Sequence, residues 1–190
     1  MIIIPRVLAT LLAEADEHHQ RALALDFAEH ALEVCGDRLT PPLRATCTEL
    51  LAAAREAVGL GRAHERLGRA YDDFHAVRVT PTGGGVSDDA SGVALMALFS
   101  STQPLMEAAG LVVRMGSSPP SCTDVARDAQ AAVGRRRAED AGDPAAETSL
   151  ARSARWEEAR WQLVRVIETA PDPSIFRPGS ADRGEGDKST

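Results

Sequence analysis

Residues 21–58 read RALALDFAEHALEVCGDRLTPPLRATCTELLAAAREAV, and their periodicity decides the fold. Leu23, Phe27, Ala31 and Val34 recur at helical steps, with Leu25, Ala28 and Leu32 widening the stripe. Gly36 is a good C-terminal stop. Thr40-Pro41-Pro42 then supplies a cap and two prolines in a first turn. A second series follows at Leu43, Cys47, Leu50, Leu51, Ala54 and Val58. The stretch is a pair of amphipathic helices joined by a turn, with both apolar series in register for one buried face.

The same pattern extends outward on both sides. Pro5 suits a first helical position, and Val7, Leu8, Leu11, Leu12 and Ala15 follow it. The polar run Asp16 to Arg21 either breaks that helix or faces solvent, so residues 1–35 form one helix or two. Gly59 and Gly61 end the second helix of the pair, and Ala63, Leu67, Ala70, Tyr71, Phe74 and Val77 mark the next. Thr80 to Gly85 (TPTGGG) cannot hold regular structure, which makes 79–87 a linker candidate. Ser87, with acids behind it, opens a helix through Phe99. Pro104 should kink or restart it, and a further piece runs to Met115. SSPPS (117–121) is a second break. A weakly amphipathic helix covers Asp124 to Ala141, and Asp143-Pro144 caps a last helix that ends at Pro171. GLVVRM (110–115) is the one β-like run, and a single strand cannot pair. These signals predict an all-α protein: a single bundle of six or seven helices over 1–171. Residues 172–190 should form a disordered tail, too poor in apolar groups to offset its ordering entropy.

Composition agrees with a helical bundle. The chain has 190 residues, enough for one domain with a real core, of which 44% are apolar and only 4% aromatic. Such a core is built from Ala, Leu and Val, and small side chains let helices approach closely. The net charge of −7 disfavours binding to a phosphate backbone and suits a basic protein partner. Three widely spaced cysteines, Cys35, Cys47 and Cys122, read as buried thiols in a reducing cytoplasm. MIIIPRVLATLLA lacks the basic start of a signal peptide, and no apolar run is long enough to span a membrane.

No constellation has the spacing that catalysis or metal binding needs. Glu14 and His18, like Asp26 and His30, stand four apart and could share a helical face, but no third ligand falls in step. Arg69 and His75 form an R-x5-H spacing similar to that of small helical ribonucleases of the HEPN superfamily. With the arginines this chain carries, its five histidines give roughly one to two such matches by chance. TPTGGG has no preceding strand and no following Lys-Ser/Thr, so it is not a phosphate cradle. Arg135, Arg136 and Arg137 read as a solvated face beside Glu139 and Asp140. No cofactor or metal is expected.

The last helix is apolar on two sides. At about 100° per residue, Leu150, Ala154, Trp161 and Val164 make one stripe and Trp156, Ala159, Leu163, Val166 and Ile167 another. The default reading makes this helix central in the bundle. Otherwise the bulkier stripe, with Trp156, should be the packed one. Trp161, with Arg160 and Glu157 beside it, would then anchor the edge of a partner surface, where Trp and Arg are over-represented.

Several segments carry a family likeness. RALAL (Arg21 to Leu25), AEH (Ala28 to His30), Asp37-Arg38 with a nearby proline, and AAREA (Ala53 to Ala57) are similar to the opening hairpin of a family of all-helical immunity proteins from bacterial toxin–immunity systems. Arg160-Trp161-Gln162, preceded by Glu157 and Glu158, resembles an acidic-Trp-Gln segment near that family's C-terminal end. The likeness covers roughly a third of the chain. Residues 1–20 are additional here, and the family's Ala/His-rich middle helices are not evident between Val86 and Met115. The resemblance implies an all-α fold that binds a toxin and performs no catalysis. The alternatives are a helical enzyme or ligand-binding bundle with a site assembled from distant residues, or a regulatory or structural helical protein.

Overall fold

The computed structural model describes residues 6–62, 64–79, 89–111, 119–142 and 144–170. Among these are seven helices and no strand: α1 (Arg6–Glu14), α2 (Glu17–Cys35), α3 (Pro41–Leu60), α4 (Glu65–Val79), α5 (Ala90–Ala108), α6 (Cys122–Glu139) and α7 (Pro144–Thr169). The all-α expectation is met. Most of the linker candidate, the expected cap Asp143, the residues of GLVVRM beyond Leu111 and the tail 172–190 lie outside the described residues.

Residues 6–35 form two helices because Asp16 starts a new one. Its side chain accepts from the His19 N–H at 2.8 Å, which satisfies one of the free donors of the first turn. Gln20 Nε2 donates to the Ala15 carbonyl at 2.8 Å, across the break. The α2–α3 corner differs in detail from its sequence reading. Gly36 caps α2 in a right-handed conformation and leads into a short 3-10 turn, Gly36–Arg38. The Thr40 side chain makes no capping hydrogen bond, so the two prolines, preset for a first turn, carry that start. Gly61, at φ 64°, is the left-handed residue that closes α3.

The central helix is α2, not α7. It packs on α3, α5, α6 and α7, burying Leu23, Ala24, Leu25, Phe27, Ala28, Ala31, Leu32 and Cys35. A helix with neighbours on several sides needs a wide apolar surface, which explains the broadened stripe in the sequence. α5 and α6 form one flank, the α3–α4 hairpin the other, and α7 lies over α6 with α1 against it. α5 runs through Pro104 without restarting. Two of its buried hydroxyls are satisfied locally, Ser101 and Thr102 both donating to the Leu98 carbonyl, while Ser100 donates to Asp128 of α6 at 3.2 Å. Glu139, at the end of α6, accepts from the Ala90 N–H at 2.8 Å and so helps cap α5. Arg136 is not a solvated side chain: it reaches Asp37 at 2.9 Å and Asp140 at 3.0 Å, tying α6 to the α2–α3 corner.

α7 is turned differently from its sequence reading. Trp156 is 53% exposed, with Val164 and Ile167 also exposed, whereas Trp161 is half-buried and packed on the core. Ala151, Ala154, Glu158, Ala159, Gln162 and Val166 are the buried positions. Two polar residues on the inner face defeat any assignment made from apolar periodicity. The α6–α7 approach depends on Gly134. A Cβ there would lie 2.6 Å from Arg155 Cγ and 3.0 Å from the Ala151 carbonyl.

Gly134→Ala is therefore expected to destabilise the fold by about 1–3 kcal/mol, overpacking outweighing the gain in helix propensity. Trp156→Ala should change stability by less than about 1 kcal/mol, as for an exposed side chain. Urea denaturation measures both. An unchanged Gly134→Ala midpoint would mean that Arg155 swings aside freely.

Candidate functional site

Two charged helical stripes face each other across a surface cleft. On α2, Asp26, Glu29, His30 and Glu33 follow the i, i+3, i+4, i+7 pattern of one face, and on α7 Trp161, Val164, Arg165 and Glu168 do the same. With Arg55 from α3 they line a cleft of about 300 Å³.

An ion network closes one end of it. Asp26 lies between two guanidinium groups, with Arg55 Nη2 at 3.0 Å and Arg165 Nε at 2.8 Å. Glu29 takes Arg55 in a bidentate pair, with Nη1 to Oε1 at 2.7 Å. The hydrogen bonds from Arg55 hold the Glu29 carboxyl below its usual range, overriding burial, and the Glu29 bonds raise the already high pKa of Arg55. Both arginines are thus neutralised from within. Exposed Glu33 and Glu168 are left as charges facing solvent.

Behind the lining residues His30 and Trp161 lies a buried polar chain. Glu158 is only 2% exposed, and its Oε2 lies 2.8 Å from His30 Nδ1. That contact is an ion pair when His30 is protonated, and its geometry falls short of an aligned hydrogen bond. Gln162 Nε2 donates to Glu158 Oε1 at 3.2 Å and to the Ala126 carbonyl at 3.1 Å. Both partners are pure acceptors, so the amide orientation is fixed and Gln162 Oε1 must face Gln130 Nε2, at 2.8 Å. Gln130 Oε1 ends the chain without a donor. The His30 ring stacks on Trp161, with centroids 3.9 Å apart and planes within 12°, and Phe27 meets Trp161 edge-on at 6.2 Å. Burial alone would lower the His30 pKa. The Glu158 contact, with the fields of Glu158 and Glu33, outweighs burial and raises it.

The structure redistributes the sequence candidates. Trp161 joins the cleft wall, while Arg160 and Glu157 face solvent outside it. Asp26 and His30 do not act as a pair, since Asp26 turns to the arginines and His30 to Glu158. Among the described residues no group of three or more His, Cys, Asp or Glu could hold a metal ion. Arg69 pairs with Glu65 at 2.9 Å, and His75 lies beside Tyr71. The three cysteines are free and buried, and burial pushes each thiol up to about 12. No helix of the described residues is long and apolar enough to cross a membrane. No family model, curated protein or solved structure matches this chain.

The raised His30 pKa has a stability consequence. Its contribution is fully present below the unfolded-state value near 6.5 and is lost as pH rises through the folded-state value. Urea midpoints of the wild type should therefore fall on the alkaline side of about pH 6.5, and Glu158→Gln should flatten that fall. Equal slopes in the two proteins would remove His30–Glu158 as its source.

Proposed function

We propose that this chain is a non-catalytic, protein-binding helical bundle that acts in the bacterial cytoplasm as an immunity protein, neutralising a cognate basic toxin. The observation that carries this reading is the outward face of α7. Trp156, Arg160 and Ile167 lie nearly opposite Glu158 on the helix, and exposed Val164 leads from them to the rim of the acidic cleft. Trp and Arg are the residue types most enriched where interface energy concentrates, and apolar side chains around them exclude water. The neighbouring Glu33 and Glu168, within a chain of net charge −7, favour a basic surface and speed its approach. The anchor moves from Trp161 to Trp156, since Trp161 is occupied with His30 and Phe27. Arg160 keeps its role, and Glu157 is exposed beside it, outside the cleft.

The test is co-expression with the toxin encoded by the adjacent gene. The wild-type chain should restore growth and form a stable complex with that toxin. Trp156→Ala and Arg160→Ala should each weaken the complex by tenfold or more, in line with interface anchors worth about 2 kcal/mol. Continued killing in the presence of the wild-type chain would sink the proposal. Undiminished binding by both variants would move the interface off this face.

A further inference from the structure

His30, which lines the cleft, contacts the buried Glu158 behind it, and the two form a titratable pair. Glu158 is buried, and among the described residues His30 is the basic side chain in salt-bridge contact with it. The charged groups around His30 come from three helices: Asp26, Glu29 and Glu33 on α2, Arg55 on α3, and Glu158, Arg165 and Glu168 on α7. From α6 the chain receives only the Ala126 carbonyl and Gln130, both uncharged. Asp26, Glu29, Arg55 and Arg165 neutralise one another. The remaining charge therefore depends on whether the His30–Glu158 pair holds its proton.

We propose that this pair makes docking at the cleft proton-linked: a basic partner binds more tightly once His30 has lost its proton, and its docking expels that proton. The proposal rests on the reading of the cleft and α7 as the docking surface for a basic protein. With the proton present, the imidazolium cancels Glu158 from inside and also lies on the Trp161 face. Without it, the cleft is more negative by one charge, a few ångströms below the surface, where water screens it incompletely. A cationic side chain entering between Glu33 and Glu168 is attracted to the second state. By linkage, the partner lowers the proton affinity of His30 by the same factor that deprotonation raises partner affinity. The raised pKa of His30 places this exchange on the alkaline side of an ordinary histidine.

Two measurements test it. In Trp156→Phe, Trp161 is the sole tryptophan, and its emission should rise with pH as the quenching imidazolium is lost. Adding Glu158→Gln should move that midpoint down toward about 6.5. In the second measurement a labelled hexa-arginine peptide is titrated into the full chain at about pH 5.5 and about pH 9 and followed by anisotropy. Wild-type affinity should increase about three- to tenfold with pH, the coupling expected of a single nearby charge. His30→Gln should already bind at the lower pH about as tightly as the wild type at the higher. Should His30→Gln fold poorly, Glu158→Gln serves instead, its binding transition shifting to lower pH along with its emission midpoint. Identical pH profiles in wild type and His30→Gln, or a Trp161 emission indifferent to pH, overturn the proposal alone. Failure of the peptide to bind at either pH overturns the basic-partner reading and the proposal with it.

Discussion

Burying the Glu158 carboxylate constrains the mutual placement of α2, α6 and α7. Taking an ionised carboxylate out of water costs several kcal/mol unless charge and hydrogen bonds replace the lost hydration. His30 supplies the charge from α2, Gln162 supplies a hydrogen bond from the next turn of α7, and Gln162 is itself held by the Ala126 carbonyl and Gln130 of α6. A rotation of α7 by one residue, about 100°, would point Glu158 away from His30 and leave Gln162 without its α6 partners, the Ala126 carbonyl and Gln130. The arrangement therefore specifies orientation more than it adds stability, since an apolar replacement of the whole chain could pack equally well.

Such a device matters because the core is otherwise undemanding. Ala24, Ala28, Ala31, Ala94, Ala97, Ala126, Ala129 and Ala132 are all buried, and Phe27 and Phe74 are the only fully buried aromatic side chains among the described residues. Alanine surfaces permit close approach but interlock weakly, so neighbouring registers differ little in packing energy. Where the approach is tightest, Gly134 admits the Arg155 stem across the α6–α7 contact. Polar complementarity at Glu158 and close contact at Gly134 fix what alanine leaves loose.

The legibility of the chain follows the same division. Helices whose inner face is apolar could be read from spacing alone, as in the α2–α3 pair and the α4 series through Phe74, whereas the restart at Asp16 stayed open because spacing does not show that its side chain caps a new helix. α7 could not, because its inner face carries Glu158 and Gln162 while Trp156, Val164 and Ile167 face outward. Periodicity counts apolar residues, and here those residues mark the wrong side. The cleft was present in the sequence as Asp26, Glu29, His30 and Glu33 and as Trp161, Val164, Arg165 and Glu168. Charged residues at helical spacing usually mean a solvated face, and nothing local distinguishes a stripe that meets another stripe. Arg136 was hidden in the same way, since its partner Asp37 lies on a distant turn.

That inversion of α7 links the buried pair to the surface. Trp156 and Ile167 lie within about 20° of the direction opposite Glu158, so the contacts that hold Glu158 inward also hold those side chains outward. Exposed apolar groups on a helix raise the question of why folding has not turned them in. Here the answer is specific: turning Trp156 into the bundle would strip Glu158 of His30 and take Arg160 toward the core. The polar interior keeps an apolar face available at the surface. It also brings the His30–Glu158 pair close to the acidic rim, where Trp161, stacked on His30, lines the cleft.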